Sequence, residues 1–410
     1  MAASLYLAAG KVTDSVTHGF LPAAARLGLD VVILTDRPAD HAEVFPGRIV
    51  ACDVTDFREI VAHITAHGDT QADSHADIRA DPHTAAHSNA HTAAKPFAIF
   101  TNSDWLQAPV ALAAAYFGVP GKDWRAATRT KNKALMRSHL RRLDPVFTAD
   151  ADDHPTDAPY PLVLKPREGV ASEDVFLVHD AAELTARREE IRERRKDPLL
   201  VEEYLPGQLH TLETLGDAHG ELRVLGSFRT RISPPPHFIE ERLEWAPPPP
   251  ETGQVVEQLR ALGVGFGACH TEFVVHEGKA RLIEVNYRVI GDHCDFLMAD
   301  LLGVPLFEQI LRLQLGEPLP PPAQARPGHA VAEVVMAERA GTLVAAPEAQ
   351  ELTHDRVRVA YRPQRATGDT IEITNTNRDY LGTIRAIGPA EDEVEAAIAR
   401  FRAAHDWTIA

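Results

Sequence analysis

In the stretch GKARLIEVNYRVIGDHCD, Glu284, Asn286 and Arg288 take alternate positions of a run rich in β-branched and aromatic residues. A strand with that alternation turns an acid, an amide and a permanent cation to one face. Just upstream, GACHTEFVVHEGKARLIEVNYR reads as a hairpin with a three-residue turn at Glu277, Gly278 and Lys279. Such a turn sets Glu272 opposite Glu284 and continues the same face through His270 and Asn286. Ile283, Val285 and Tyr287 then face a core. Like charges opposite one another destabilise a sheet, so two facing carboxylates make sense around a divalent cation. Hard oxygen donors select Mg2+ or Mn2+, and Mg2+ is usually held by one or two carboxylates plus substrate phosphates. Arg288 adds a fixed fork for phosphate or carboxylate. The plain alternative is a solvated sheet face with scattered charges.

Four other stretches carry groups of the same kind. In YPLVLKPREGVASEDVFLV, Lys165 ends an apolar strand and points away from Leu162 and Leu164. The loop that follows, with Gly169 and Ser172, can bring backbone N–H groups to phosphate oxygens, although the P-loop spacing is absent. LLVEEYLPG runs an apolar strand into Glu202, Glu203, Tyr204 and Leu205 before a Pro-Gly turn. That exit can offer backbone groups to an adenine edge and an acid to a ribose or amino group. In RTKNKALMRSHLRRL, Lys133 opens a helix whose Leu135, Met136 and Leu140 face a core, with Lys131 as its competitor for the same task. FRTRISPPPHFIEE places Arg229 and Arg231 on one strand face, ready for a carboxylate or simply exposed.

The elements that must position these groups are legible as patterns. SLYLAAG, DVVILTD, RIVACDV and FAIFTN are short apolar runs separated by helical stretches, which implies a parallel α/β layer. Its first turn lacks G-x-G-x-x-G, which argues against dinucleotide binding. Residues from about 68 to 95 hold almost no large apolar side chain and read as a mobile insertion. Its histidines His75, His83, His87 and His91 are read as parts of a solvated loop, not as metal ligands. EPLPPPAQARPG is a linker by composition, and short strand-like runs and one helix follow it.

The chain has 410 residues, 44% hydrophobic and 25% charged, which fits a protein of several domains with ample core. No apolar run reaches a membrane span, and the start lacks the basic and long apolar regions of an export signal. Three cysteines in no disulfide or zinc spacing suit a reducing, cytoplasmic setting. A net charge of −17 argues against nucleic acid or an anionic membrane as partner. Cys269 and Cys294 are read as buried small hydrophobes.

Taken in order, KNKALMR, LVLKP, VEEYLPG, HTEF and LIEVNYR resemble the ATP-grasp superfamily of carboxylate–amine and carboxylate–thiol ligases. The likeness runs from about residue 126 to 315 and extends to the flanking parts. It implies an α/β (α+β ATP-grasp) architecture in four parts: an N-terminal parallel α/β layer at 1–125, a small lobe at 126–205, a large lobe with the metal site at 206–325, and a small strand-rich C-terminal domain at 326–410. It implies ATP as cofactor, with Lys133, Lys165 and Ser172 at its phosphates, and Glu202, Glu203, Tyr204, Leu205 and Glu213 among its other contacts. Glu272, Glu284 and Asn286 would carry Mg2+ (or Mn2+), with Arg288 and Lys165 acting on the transferring phosphoryl group. GACHTEF and IEVNYR look most like the branch that joins amino acids or small carboxylates in peptide and siderophore-type biosynthesis. The expected partners are a small-molecule carboxylate and an amine, with a homodimer left open. Substrate contacts are expected at Arg229, Arg231, His270, Arg288, Asp292 and His293. The phosphate loop PREGVASED is poorer in glycine than the family's usual one, and Asp292 and His293 are less typical. A purine-pathway ligase, a biotin-carboxylase-like enzyme (without an MKM-like biotinylation site) and a non-catalytic ATP-binding protein are the alternatives.

Overall fold

The computed structural model describes residues 3–73, 97–153, 157–324 and 328–410. The candidate insertion therefore lies outside the described residues from 74 on, and its earlier part continues the helix Phe57–Asp73. The first sheet is parallel throughout, in the order Arg48–Ala51, Asp30–Thr35, Ser4–Ala8, Phe97–Phe100. Its strands are apolar on both faces because both are covered. Tyr6, Val32 and Ile99 pack on Ile60 and Val110, whereas Leu5, Leu7 and Ile33 pack on Phe20, Leu297 and Ile310. The second group shows where the chain goes after Arg288. The helices Cys294–Leu302 and Leu306–Gln314 return to cover the N-terminal layer. LMADLLGVPLFEQILRLQLG is thus two helices, broken at Gly303, which closes the first in the left-handed conformation.

A four-stranded antiparallel sheet forms the small lobe, in the order Thr148–Asp150, Leu199–Glu203, Leu162–Pro166, Phe176–Val178. Leu162, Leu164, Leu199 and Val201 turn into a core under the helix Ala181–Arg194. Val163, Lys165 and Glu202 therefore share the opposite face, Val163 lying directly across from Glu202.

The remaining strands build a nine-stranded antiparallel sheet that begins Lys279–Asn286, Gly267–His276, Gln208–Gly216, Leu222–Ile232, Glu240–Ala246. It continues without a break through His329–Met336 and Tyr380–Gly388 to Val357–Pro363 and Gln350–His354. The sheet of the large lobe thus passes into the C-terminal strands. Among the described residues no helix is long and apolar enough to cross a membrane.

The hairpin carrying the facing acids departs instructively from the reading above. Its turn has two residues, Glu277 and Gly278, with φ of 49° and 73°, the backbone of the tight hairpin turn that favours glycine at its second position. His276 consequently pairs with Lys279, and Phe273 with Leu282. A bulge at Ile283 then shifts the register, so that Glu272 faces Glu284 and His270 faces Asn286. The opposition is present, but a bulge restores it rather than a longer turn. The bulge also turns Ile283 toward the polar side, where it packs near Leu205, Leu209 and Val274, while Val285 and Tyr287 enter the core.

Candidate active site

A cavity of about 500 Å³ lies between the small lobe, the large sheet and the C-terminal strands. Lys133, Lys165, Ser172, Glu202, Glu203, Tyr204, Leu205, His270, Glu272, Glu284, Asn286, Arg288 and Asp292 all line it.

Each lysine reaches the cavity through a local device. The helices Trp124–Lys131 and Lys133–Leu140 are broken at Asn132, which is extended, ends the first helix, and caps the second by accepting from the Leu135 N–H at 3.1 Å. The break rotates Lys133 inward, where its Nζ lies 2.8 Å from a Glu284 oxygen. Burial works against its charge, but Glu284 prevails and the ammonium is raised above its ordinary value. Lys131 does not line the cavity: it pairs with Asp104 and stands over the Trp105 ring at 3.9 Å. Lys165 contacts Glu202, which also accepts from Arg137 Nε at 2.9 Å. Burial alone would raise the Glu202 carboxyl, yet Arg137 and Lys165 overcome it and hold it at about 2. The same burial lowers the Lys165 ammonium. We take Glu202 as ionised, because the Arg137 cation is permanent.

Across the cavity, His270 Nδ1 is 2.8 Å from Glu213 and its Nε2 is 3.5 Å from Glu272. Burial disfavours the imidazolium, but these two carboxylates push it up to about 10. His270 in turn helps to draw Glu272 below the ordinary range against the cost of burial. Asn286 Nδ2 lies 3.4 Å from the same Glu272 oxygen. Two carboxylates and an amide oxygen on adjacent strands are a donor set that suits Mg2+, with Lys133 beside Glu284 and His270 beside Glu272. Arg288 is braced on the Val289 carbonyl at 2.9 Å.

Several expected roles need correction. Arg229 and Arg231 lie on the outer face of the sheet, 51% and 60% exposed, paired with Glu244 and Glu241. Their alternate neighbour Thr230 has the inward direction, opposite Leu243. Glu213 sits behind His270 as its support and does not line the cavity. His293 is bound to Asp14 of the N-terminal layer at 2.9 Å. That contact ties the turn after Arg288 in place, next to a buried hydrogen bond from Ser15 to Asp295 at 2.6 Å. The Ser172 hydroxyl donates to the Phe238 carbonyl at 2.8 Å. The N–H groups of Glu203 and Tyr204 donate to the Phe147 and Pro161 carbonyls, so they are not directed at an adenine edge.

Sequence reasoning missed the third wall. Glu240, Gln364, Arg365, Asn377, Arg378, Tyr380 and Thr383 complete the cavity. Asn377 donates its backbone N–H to the Ala171 carbonyl at 3.0 Å, and Arg378 pairs with Glu173, so this wall also holds the loop that follows Pro166. In that loop Ala171, Ser172 and Asp174 have φ of 58°, 56° and 55°, positive values adopted without glycine. Burial, followed by Glu272 and Asp292, pushes the Glu240 carboxyl up to about 8. The doubled acid in FIEERLEW, which breaks the alternation, was the one signal for Glu240.

This two-lobed arrangement defines an ATP-grasp fold, and residues 158–296 match the ATP-grasp domain family model. The match covers about a third of the chain, and the ATP-grasp fold extends over the whole of it. Over its whole length it is similar to the L-amino acid ligase from Bacillus licheniformis, with a TM-score of 0.74 at 20% identity, covering 99% of that structure. Phosphoribosylglycinamide synthetase from Anaerococcus prevotii aligns over 100% of both chains with a TM-score of 0.70 at 13% identity. The biotin carboxylase domain of the Hydrogenobacter thermophilus 2-oxoglutarate carboxylase, solved with MgADP and bicarbonate, gives 0.67 at 17% identity, over 100% of this chain and 91% of that one. In sequence, the chain is 28% identical over 323 residues to the uncharacterized protein y4rH of Sinorhizobium fredii, covering 72% of this chain and 64% of that protein.

Proposed function

We propose that the protein is an ADP-forming carboxylate–amine ligase that makes an amide bond between a small carboxylate or amino acid and an amine. The observation that carries this reading is the convergence of Lys133, Lys165, Glu272, Glu284, Asn286 and Arg288 on one cavity. Phosphoryl transfer asks little covalent help of a protein and much positioning and charge. The expected four-part division of the chain is retained, with ATP between the lobes and its adenine at the strand exit Glu203–Leu205.

A substrate carboxylate oxygen bonds to the γ-phosphorus while the bond to the β–γ bridging oxygen breaks, releasing ADP. The amine nitrogen then attacks the acyl carbon, the carbon–oxygen bond to phosphate breaks, and the nitrogen loses a proton. Lys165 and Lys133 bind phosphate oxygens, and Arg288 faces the charge of the transferring group. Mg2+ held by Glu272, Glu284 and Asn286 would neutralise phosphate charge when bound. His270, kept cationic by Glu213, holds Glu272 ionised and oriented.

Hydroxylamine provides the test. Supplied with ATP, Mg2+ and a panel of amino acids and small carboxylates, the protein should yield a hydroxamate, ADP and phosphate. AMP and pyrophosphate would mean attack at the α-phosphorus and would defeat the reading.

A further inference from the structure

Glu240 has a use that the chemistry so far leaves open. In the strand pair Leu222–Ile232 and Glu240–Ala246, Arg231 faces Arg242 but Ile232 faces Glu240. Glu241 is the extra residue of that bulge. It points outward to Arg231 at 3.2 Å, and the shift turns Glu240 inward beside Ile232 on the cavity wall. Bulges re-aim side chains in this way.

The inward carboxylate is then fixed from the C-terminal domain. Asn377 Nδ2 donates to Glu240 Oε2 at 3.2 Å, and the Glu240 N–H donates to Asn377 Oδ1 at 3.1 Å. The Tyr380 hydroxyl donates to the Glu240 carbonyl at 2.6 Å. Within the cavity, Glu202 has Lys165 and Arg137, Glu284 has Lys133, and Glu272 has His270. Among the described residues neither Glu240 nor Asp292 has an ion-pair partner.

We propose that Glu240, set by Asn377, receives the ammonium group of the acceptor amine and so selects an amine that arrives protonated. This rests on the ligase reading above. A half-buried carboxyl without an ion-pair partner becomes charged at little cost only when a cation binds beside it. The Asn377 amide already donates to one of its oxygens. The other is left for a hydrogen-bonding cation such as an ammonium. The position also suits the chemistry, since Glu240, Glu272 and Asp292 line one cavity with Arg288, where the acyl phosphate would form. An acceptor drawn in as an ammonium is thus held close to the acyl carbon, passes one proton to the Glu240 carboxylate, attacks as the neutral amine, and loses its second proton to the departing phosphate.

The test compares two acceptors against one acyl donor, the acid found in the hydroxamate panel. Hydroxylamine is largely neutral at pH 7, whereas the amino group of each of the twenty amino acids is protonated. In Glu240→Gln the ratio of amide to hydroxamate should fall tenfold or more, chiefly through a higher KM for the amino acid. Asn377→Ala should shift the ratio in the same direction by a smaller factor, and serves if Glu240→Gln fails to fold. An unchanged ratio overturns the proposal, as do equal losses of both products or a changed Mg2+ dependence, which would assign Glu240 to the nucleotide or to a metal. Hydroxamate without amide from any amino acid in the wild type also overturns it. Absence of hydroxamate from every acid defeats the ligase reading itself.

Discussion

Two carboxylates look into the same cavity from opposite walls and meet opposite fates. Glu202, on the small lobe, lies between Arg137 and Lys165 and is held ionised at about 2. Glu240, on the third wall, has an amide for company and two acids nearby, and is raised to about 8. Both are turned away from bulk water, so burial alone does not decide the charge of an acid. The partner supplied by the neighbouring strand or helix decides it. Glu202, held between two fixed cations, belongs to the frame of the site, whereas Glu240 is open to a ligand.

The comparison is broken most severely at Glu202. Glu202→Gln leaves two buried cations beside a neutral amide and should cost about 3–5 kcal/mol of stability, measured by urea unfolding. Because the folded carboxyl lies below its unfolded value, its contribution is full above about pH 4.5 and is lost as pH falls toward 2. The variant should lack that part of the acid limb. At Glu240 the sign reverses in the ligand-free protein. Its folded carboxyl lies above the unfolded value, so stability falls as pH rises from about 4.5 to 8, and Glu240→Gln should flatten that slope. An unchanged slope would mean that the acids around it are better screened than the structure indicates.

Glu284→Gln sharpens the contrast between frame and chemistry. It removes one of two facing charges and should lower kcat by roughly 10²–10³-fold or more, with folding intact by circular dichroism. A variant with most of its turnover would take Glu284 out of the metal site. The smallest effect is expected at the outer face. Arg229→Ala breaks an exposed pair with Glu244 and should change stability by less than about 1 kcal/mol, with the KM of either substrate unmoved.

The sequence was most informative where chemistry and periodicity coincide. Glu284, Asn286 and Arg288 could be placed on one face because strand alternation is rigid, and Lys133 was distinguishable from Lys131 by its place in a recognisable motif. The errors arise where that regularity is interrupted. Arg229 and Arg231 do share a face, but alternation alone does not say which side of the sheet is inside. Ile283 and Glu240 were misplaced or overlooked because each sits at a bulge, and one inserted residue reverses every inference drawn from parity. The third wall was invisible for another reason. Its residues lie more than a hundred positions from Glu240 in sequence, and only the pairing of Glu240–Ala246 with His329–Met336 brings them near.

Asn377 occupies a position with a thermodynamic corollary. Its backbone holds the loop after Pro166 at Ala171, and its side chain holds Glu240. Movement of the loop would therefore reach the carboxylate through Asn377, alongside the Ser172–Phe238 hydrogen bond and the Arg378–Glu173 pair. If the proposed ligase reading holds, linkage then requires reciprocity: whatever factor ATP imposes on amine affinity, the amine must impose on ATP. Calorimetric titration of each ligand with and without the other would measure that factor twice, and Asn377→Ala should draw both values toward one.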